Sequence, residues 1–112
     1  MTEQVSGNIF IRSGGPMAAG DVAESHRHNF DHTTFVNKGS ARVERLDDSG
    51  VVVRAVVKHA YEAHNWVLIE AGVEHRIVAL EDGTIYLCVY SHRRADTGEV
   101  VEEWTGWMDA TH

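Results

Sequence analysis

The segment Val51-Val52-Val53-Arg54-Ala55-Val56-Val57-Lys58-His59-Ala60-Tyr61 constrains the fold more than any other stretch. Its residues alternate with period two and are rich in β-branched side chains, the pattern of a strand with two unlike faces. Val51, Val53, Ala55, Val57, His59 and Tyr61 share one face, and Arg54 and Lys58 lie on the other. The expectation is that the valine face looks inward. A strand approximately from Thr33 to Leu46 precedes it, joined by the turn Asp47-Asp48-Ser49-Gly50. A further β-rich run covers residues 85 to 92, entered through Glu81-Asp82-Gly83-Thr84 and closed by Arg94-Ala95-Asp96-Thr97-Gly98. Shorter strands are expected at 8 to 12, 66 to 70 and 75 to 80.

No long window places apolar residues at helical spacing between caps. Many short strands separated by turn residues point to an antiparallel sandwich or barrel. The chain has 112 residues, one domain's worth, and no repeat, linker or low-complexity run divides it. Apolar residues at 43% and charged residues at 24% are ordinary for a globular domain. The expected organisation is a single domain over residues 1–112.

Ten basic and 17 acidic side chains leave a net charge of −7. A negative surface without a basic stripe repels phosphate backbones and anionic lipid, so neither nucleic acid nor a membrane is an expected partner. Cys88 is the only cysteine, so an internal disulfide is excluded. The N-terminal residues lack the charged and apolar regions of a signal peptide, and no apolar run is long enough for a membrane helix. A cytoplasmic address is the resulting expectation.

Histidine is over-represented, at eight residues. His26 and His28 are two apart, which on a strand puts both rings on one face, about 6–7 Å apart. His32 follows with the same parity, and His75 arrives from a distant segment after Gly72-Val73-Glu74. Imidazole is the commonest metal ligand at neutral pH, and ligands from remote strands let opposite walls of a barrel clamp one ion.

The spacing Gly20-(x5)-His26-x-His28-(x3)-His32-(x6)-Gly39 resembles the first motif of the cupins, G-x5-H-x-H-x3-4-E-x6-G. Gly72-x-x-His75 resembles the core of their second motif, G-x5-P-x-G-x2-H-x3-N. The resemblance implies an all-β double-stranded β-helix, a jelly-roll barrel with a metal at its centre. Carried over by position, His26, His28 and His75 are the implied ligands. His32 stands where the family's acid stands. Three other positions depart from the pattern: His64 for glycine, Glu70 for proline and Ala79 for asparagine.

Replacing the acid changes the chemistry. Three histidines and a carboxylate leave a divalent site at +1, whereas four neutral imidazoles leave it at +2, a stronger Lewis acid. All-nitrogen ligation suits iron, nickel, zinc, manganese or copper. Four histidines would close a tetrahedral zinc shell. Around an octahedral ion they leave two positions open. If His32 does not ligate, it can hydrogen-bond a ligand or the substrate.

His59, by its parity, is expected to line a wall. Phe30 and Phe35 lie beside the histidines, and Tyr86, Cys88 and Tyr90 share one strand face that belongs to the pocket if it looks inward. Three functions stay open. The first is a metal-dependent dioxygenase of a small oxygen-rich or dicarbonyl-like metabolite. The second is a non-catalytic binding module, such as a sensor or a phage-type accessory protein. The third is a metal-dependent isomerase, for which Tyr86, Tyr90 or His59 would have to supply the base. A homodimer is expected, because a small barrel with open edges gains from association. Trp104 and Trp107 are expected to pack on the barrel or to meet a second subunit.

Overall fold

The computed structural model describes residues 2–23, 30–94 and 96–100. Among these residues there are nine strands and no helix. They are β1 (Thr2–Ser6), β2 (Ile9–Met17), β3 (Val22–Ala23), β4 (His32–Lys38), β5 (Ser40–Leu46), β6 (Val52–His59), β7 (Trp66–Ile69), β8 (Glu74–Ala79) and β9 (Thr84–Ser91). Every pairing is antiparallel, in a five-stranded sheet β1-β2-β9-β4-β7 and a four-stranded sheet β3-β8-β5-β6.

The two sheets pack face to face. Met17, Val36, Ile69, Tyr86 and Cys88 of the larger sheet form one buried cluster with Ala41, Val43, Ile77 and Ala79 of the smaller. Removing these apolar faces from water stabilises the sandwich, at roughly 25 cal/mol for each Å² buried.

The strand expected from Thr33 to Leu46 is in fact two strands, broken at Gly39. There the chain leaves the larger sheet as β4 and enters the smaller as β5. Gly39 has φ +77°, a left-handed conformation that residues with a Cβ resist. A Cβ there would also collide with the Thr84 side chain. Thr84 is fully buried, and its hydroxyl can donate to the carbonyl of Glu81 at 2.8 Å or of Ser40 at 3.1 Å.

The hairpin after β5 forms where expected. The Asp47 carboxylate accepts backbone N–H bonds from Ser49 and Val51, both at 2.9 Å, which fixes the turn.

Strand β6 faces opposite to expectation. Val56 pairs with Val43 and packs on the core, so Arg54, two residues away, shares its inner parity. Val53 and Val57 are about half exposed, and Ala55 is exposed with them. Alternation shows which residues share a face, but both faces of this strand carry valine, so the pattern could not say which face is inward.

Two strands were not expected. β1 pairs with β2 through the two-residue loop Gly7-Asn8, and β3 is a two-residue pairing with β8. The Gly-Asn dipeptide is a hairpin signal, hidden by the polar sequence of β1.

Candidate metal centre

The antiparallel register puts inward-facing residues of the larger sheet in rows. Phe10 pairs with Tyr90, and Arg12 pairs with Cys88, which pairs with Thr34. Gly14 pairs with Tyr86, which pairs with Val36. His32 opens β4 opposite Ile69. The expected face of Tyr86, Cys88 and Tyr90 does look inward, and all three residues are buried.

His75 stands on the inner face of β8, in the smaller sheet, opposite Arg45 of β5. His32 is 4% and His75 3% exposed. Their ring centroids lie 5.0 Å apart at an interplanar angle of 49°. This separation is of the size that two imidazoles sharing one ion require, given nitrogen–metal distances of about 2.0–2.1 Å. Two imidazoles 43 residues apart in the chain thus meet between the sheets.

Their protonation suits a metal. Burial first, and then the neighbouring His75, pull the His32 pKa down to about 3, against a smaller opposing effect of Asp31. The ring is therefore a neutral donor at physiological pH. His75 Nδ1 lies 3.5 Å from the carbonyl oxygen of Val73, a long contact. A carbonyl can only accept, so a proton held on Nδ1 leaves the Nε2 lone pair for a cation. The donor set therefore fits a transition metal.

His26 and His28, the other two expected ligands, lie outside the described residues, as do Trp104 and Trp107. Among the described residues no group of three or more histidine, cysteine or acidic side chains is placed to hold an ion.

An aromatic layer adjoins the two rings. Phe30 packs on Tyr90 with centroids 4.3 Å apart and lies 6.0 Å from the His32 ring. Tyr90 in turn stacks on Phe10 at 4.8 Å. Phe35 is not part of this layer. It pairs with Trp66 and Leu87 on the outer parity of β4, because Thr34 and Val36 point inward. His59 does not line the wall either. It sits at the end of edge strand β6, stacked on the exposed Tyr61 at 4.9 Å.

Burial controls the remaining titratable groups. It pushes the Tyr86 hydroxyl up to about 12 and the Cys88 thiol up to about 11, the latter eased by the Thr34 hydroxyl 3.5 Å away. Cys88 is a protonated thiol at neutral pH and no nucleophile.

Sequence reasoning missed Arg12, which is fully buried and lies 3.7 Å from the Glu3 carboxylate. Burial lowers its pKa, and the Glu3 charge opposes that shift. Its parity with Phe10 was the available signal.

A cavity of about 210 Å³ opens beside His75, between β5, β6, β7 and β8. Val43, Val56, Val67, Ile69 and Val73 form its apolar walls, while Glu44, Arg45, Arg54 and Glu70 supply its charges. The volume is below the roughly 300–1,000 Å³ of sites for drug-sized ligands, so a small metabolite is the scale of molecule it fits.

No family model matches the chain, and no curated protein matches it. Solved structures do. The capsular polysaccharide assembling protein CapF from Staphylococcus aureus matches with a TM-score of 0.62 at 14% identity, over 86% of this chain and 29% of that one. An S161A mutant of Bacillus subtilis oxalate decarboxylase OxdC matches with a TM-score of 0.56 at 17% identity, over 98% of this chain and 34% of that one. An oxalate oxidase in complex with the substrate analogue glycolate matches with a TM-score of 0.54 at 19% identity, over 72% of this chain and 39% of that one. The chain thus spans between about a quarter and two fifths of the length of the proteins it resembles.

Proposed function

Starting from a chain with the cupin jelly-roll fold, we propose that it is a metal-dependent enzyme acting on a small oxygen-rich or dicarbonyl-like metabolite, with dioxygenase chemistry the favoured reaction. The observation that carries this reading is the meeting of His32 and His75, buried and 5.0 Å apart, from opposite sheets. Burying imidazoles in an apolar sandwich costs solvation, and a shared cation is a partner that would offset it. In this reading His26, His28 and His75 hold a divalent transition ion, and His32 completes its shell or hydrogen-bonds what is bound there.

A bound ion would supply Lewis-acid polarisation of a substrate oxygen and, if it were iron, a centre for dioxygen chemistry. The chain's own residues do the rest. Burial keeps the His32 ring a neutral donor. Phe30, Tyr90 and Phe10 form a layer of packed rings that would shield one side of the centre from water. Val43, Val56 and Ile69 give the neighbouring cavity an apolar wall, against which polar groups interact more strongly than in water. Glycolate, a substrate analogue of one of the similar proteins, is of the size this cavity accepts.

The test is metal analysis of protein purified without a histidine tag, followed by oxygen uptake. Fe(II)-dependent uptake with a β-diketone, thiol or keto acid supports the reading. A closed tetrahedral zinc site, or no uptake with any metal, overturns it in favour of a binding module.

A further inference from the structure

We infer that Arg45 and Arg54 form a carboxylate-binding pair at the mouth of the His75 cavity, so that the substrate is a small organic acid. The inference rests on the proposed metal-dependent reading only for the word substrate; the anion site itself stands on separate observations.

The first is register. Arg45 pairs across β5–β6 with Arg54 and across β5–β8 with His75, so the three residues form one row of inner parity that runs from the buried His75 to the two exposed arginines. All three line the same cavity of about 210 Å³.

The second is charge. Like charges directly opposite on neighbouring strands destabilise a sheet, and an acid nearby is the ordinary relief. The chain has 17 acidic residues to 10 basic ones, so acids are plentiful. Arg12 has Glu3, Arg42 and Arg76 share Glu44, and Arg94 has Asp96. Among the described residues, neither Arg45 nor Arg54 has a carboxylate within 4 Å. The contrast with Arg42 is close, because it is three residues before Arg45 on the same strand but faces outward to Glu44.

The third is what such a pair recognises. Guanidinium groups present planar forks of N–H donors that match a carboxylate, and these charge-assisted bonds are stronger than neutral ones. Glu44 and Glu70 also line the cavity, so two positive groups face two negative ones, of which Glu44 is already held by Arg42 and Arg76. With the lining charges balanced, a dianion gains no advantage over a monoanion from the field, and the planar guanidinium forks match a carboxylate. An acid held there directs its remaining oxygens along the row toward His75.

The test measures binding to the full chain, metal-free and loaded with Zn(II), by calorimetry or ligand-detected NMR. The probes are glycolate, pyruvate, malonate and succinate, each beside its uncharged amide, with inorganic phosphate as a further arm. At least one acid is expected to bind tenfold or more tightly than its amide. Arg45→Gln and Arg54→Gln should each weaken that acid at least tenfold, leave the amide unchanged and leave Zn(II) affinity within twofold. Acids binding no better than amides, phosphate binding more tightly than every acid, or variants within twofold of the parent would overturn the inference. The comparison of acid with amide in the unmutated protein decides the matter even if a variant fails to fold. Arginine-dependent acid binding in a protein that takes up no metal would sink the metal-dependent reading and leave the anion site standing.

Discussion

At the scale of single residues, burial decides what each group can do. Folding raises the pKa of Cys88 to about 11 and of Tyr86 to about 12. A group whose folded pKa is raised contributes stability below its unfolded pKa and loses it as pH rises toward the folded value. Stability should therefore fall between about pH 9 and 12, and the Cys88→Ala, Tyr86→Phe double variant should show a flatter alkaline limb in urea melts. The same burial makes Cys88 unreactive: a thiol reagent at pH 8 should modify it at least a hundredfold more slowly in the native protein than in guanidinium. Equal rates would mean the interior is open. Substituting Ile77, 3% exposed in the core, by alanine should cost about 2–5 kcal/mol, read from the urea midpoint.

At the scale of elements, glycine positions set where strands approach and where they break. The hydroxyl end of the Tyr86 ring lies against Gly14, where a Cβ would collide with Cζ and the hydroxyl oxygen. Gly14→Ala should cost about 1–3 kcal/mol through this overpacking, and pairing it with Tyr86→Ala should recover part of the loss. A double variant no more stable than the sum of the single changes would show that the ring is not the cause.

Most strands were legible because their alternation and turn residues are local signals. Asp47-Asp48-Ser49-Gly50 and the β9 run needed no tertiary context. The corner at Gly39 was not legible, since a glycine between two apolar runs reads equally well as a bulge within one long strand. The inward face of β6 was hidden for a different reason: Val56 and Val57 are equally apolar, and only pairing with Val43 decides between them.

At the scale of the whole molecule, the sheets bring together what the chain keeps apart. The spacing of the histidines singled out His26, His28, His32 and His75, and the sandwich juxtaposes the rings of the two among the described residues, His32 and His75. Phe35 and His59 were expected near them from sequence proximity and parity, but side-chain direction depends on register with strands distant in sequence. Arg45 and Arg54 carried no linear signal, since their adjacency exists only across β5 and β6. His75→Ala should remove one wall's contribution to the centre, lowering metal affinity at least a hundredfold while leaving the fold intact by circular dichroism.

X-ray absorption on the untagged protein loaded with one equivalent of Zn(II) or Fe(II) tests the central claim most directly. The account predicts one ion per chain with at least three imidazole nitrogens in its shell, one of them lost in His75→Ala. An ion without imidazole scattering, or a spectrum that His75→Ala leaves unchanged, would contradict it.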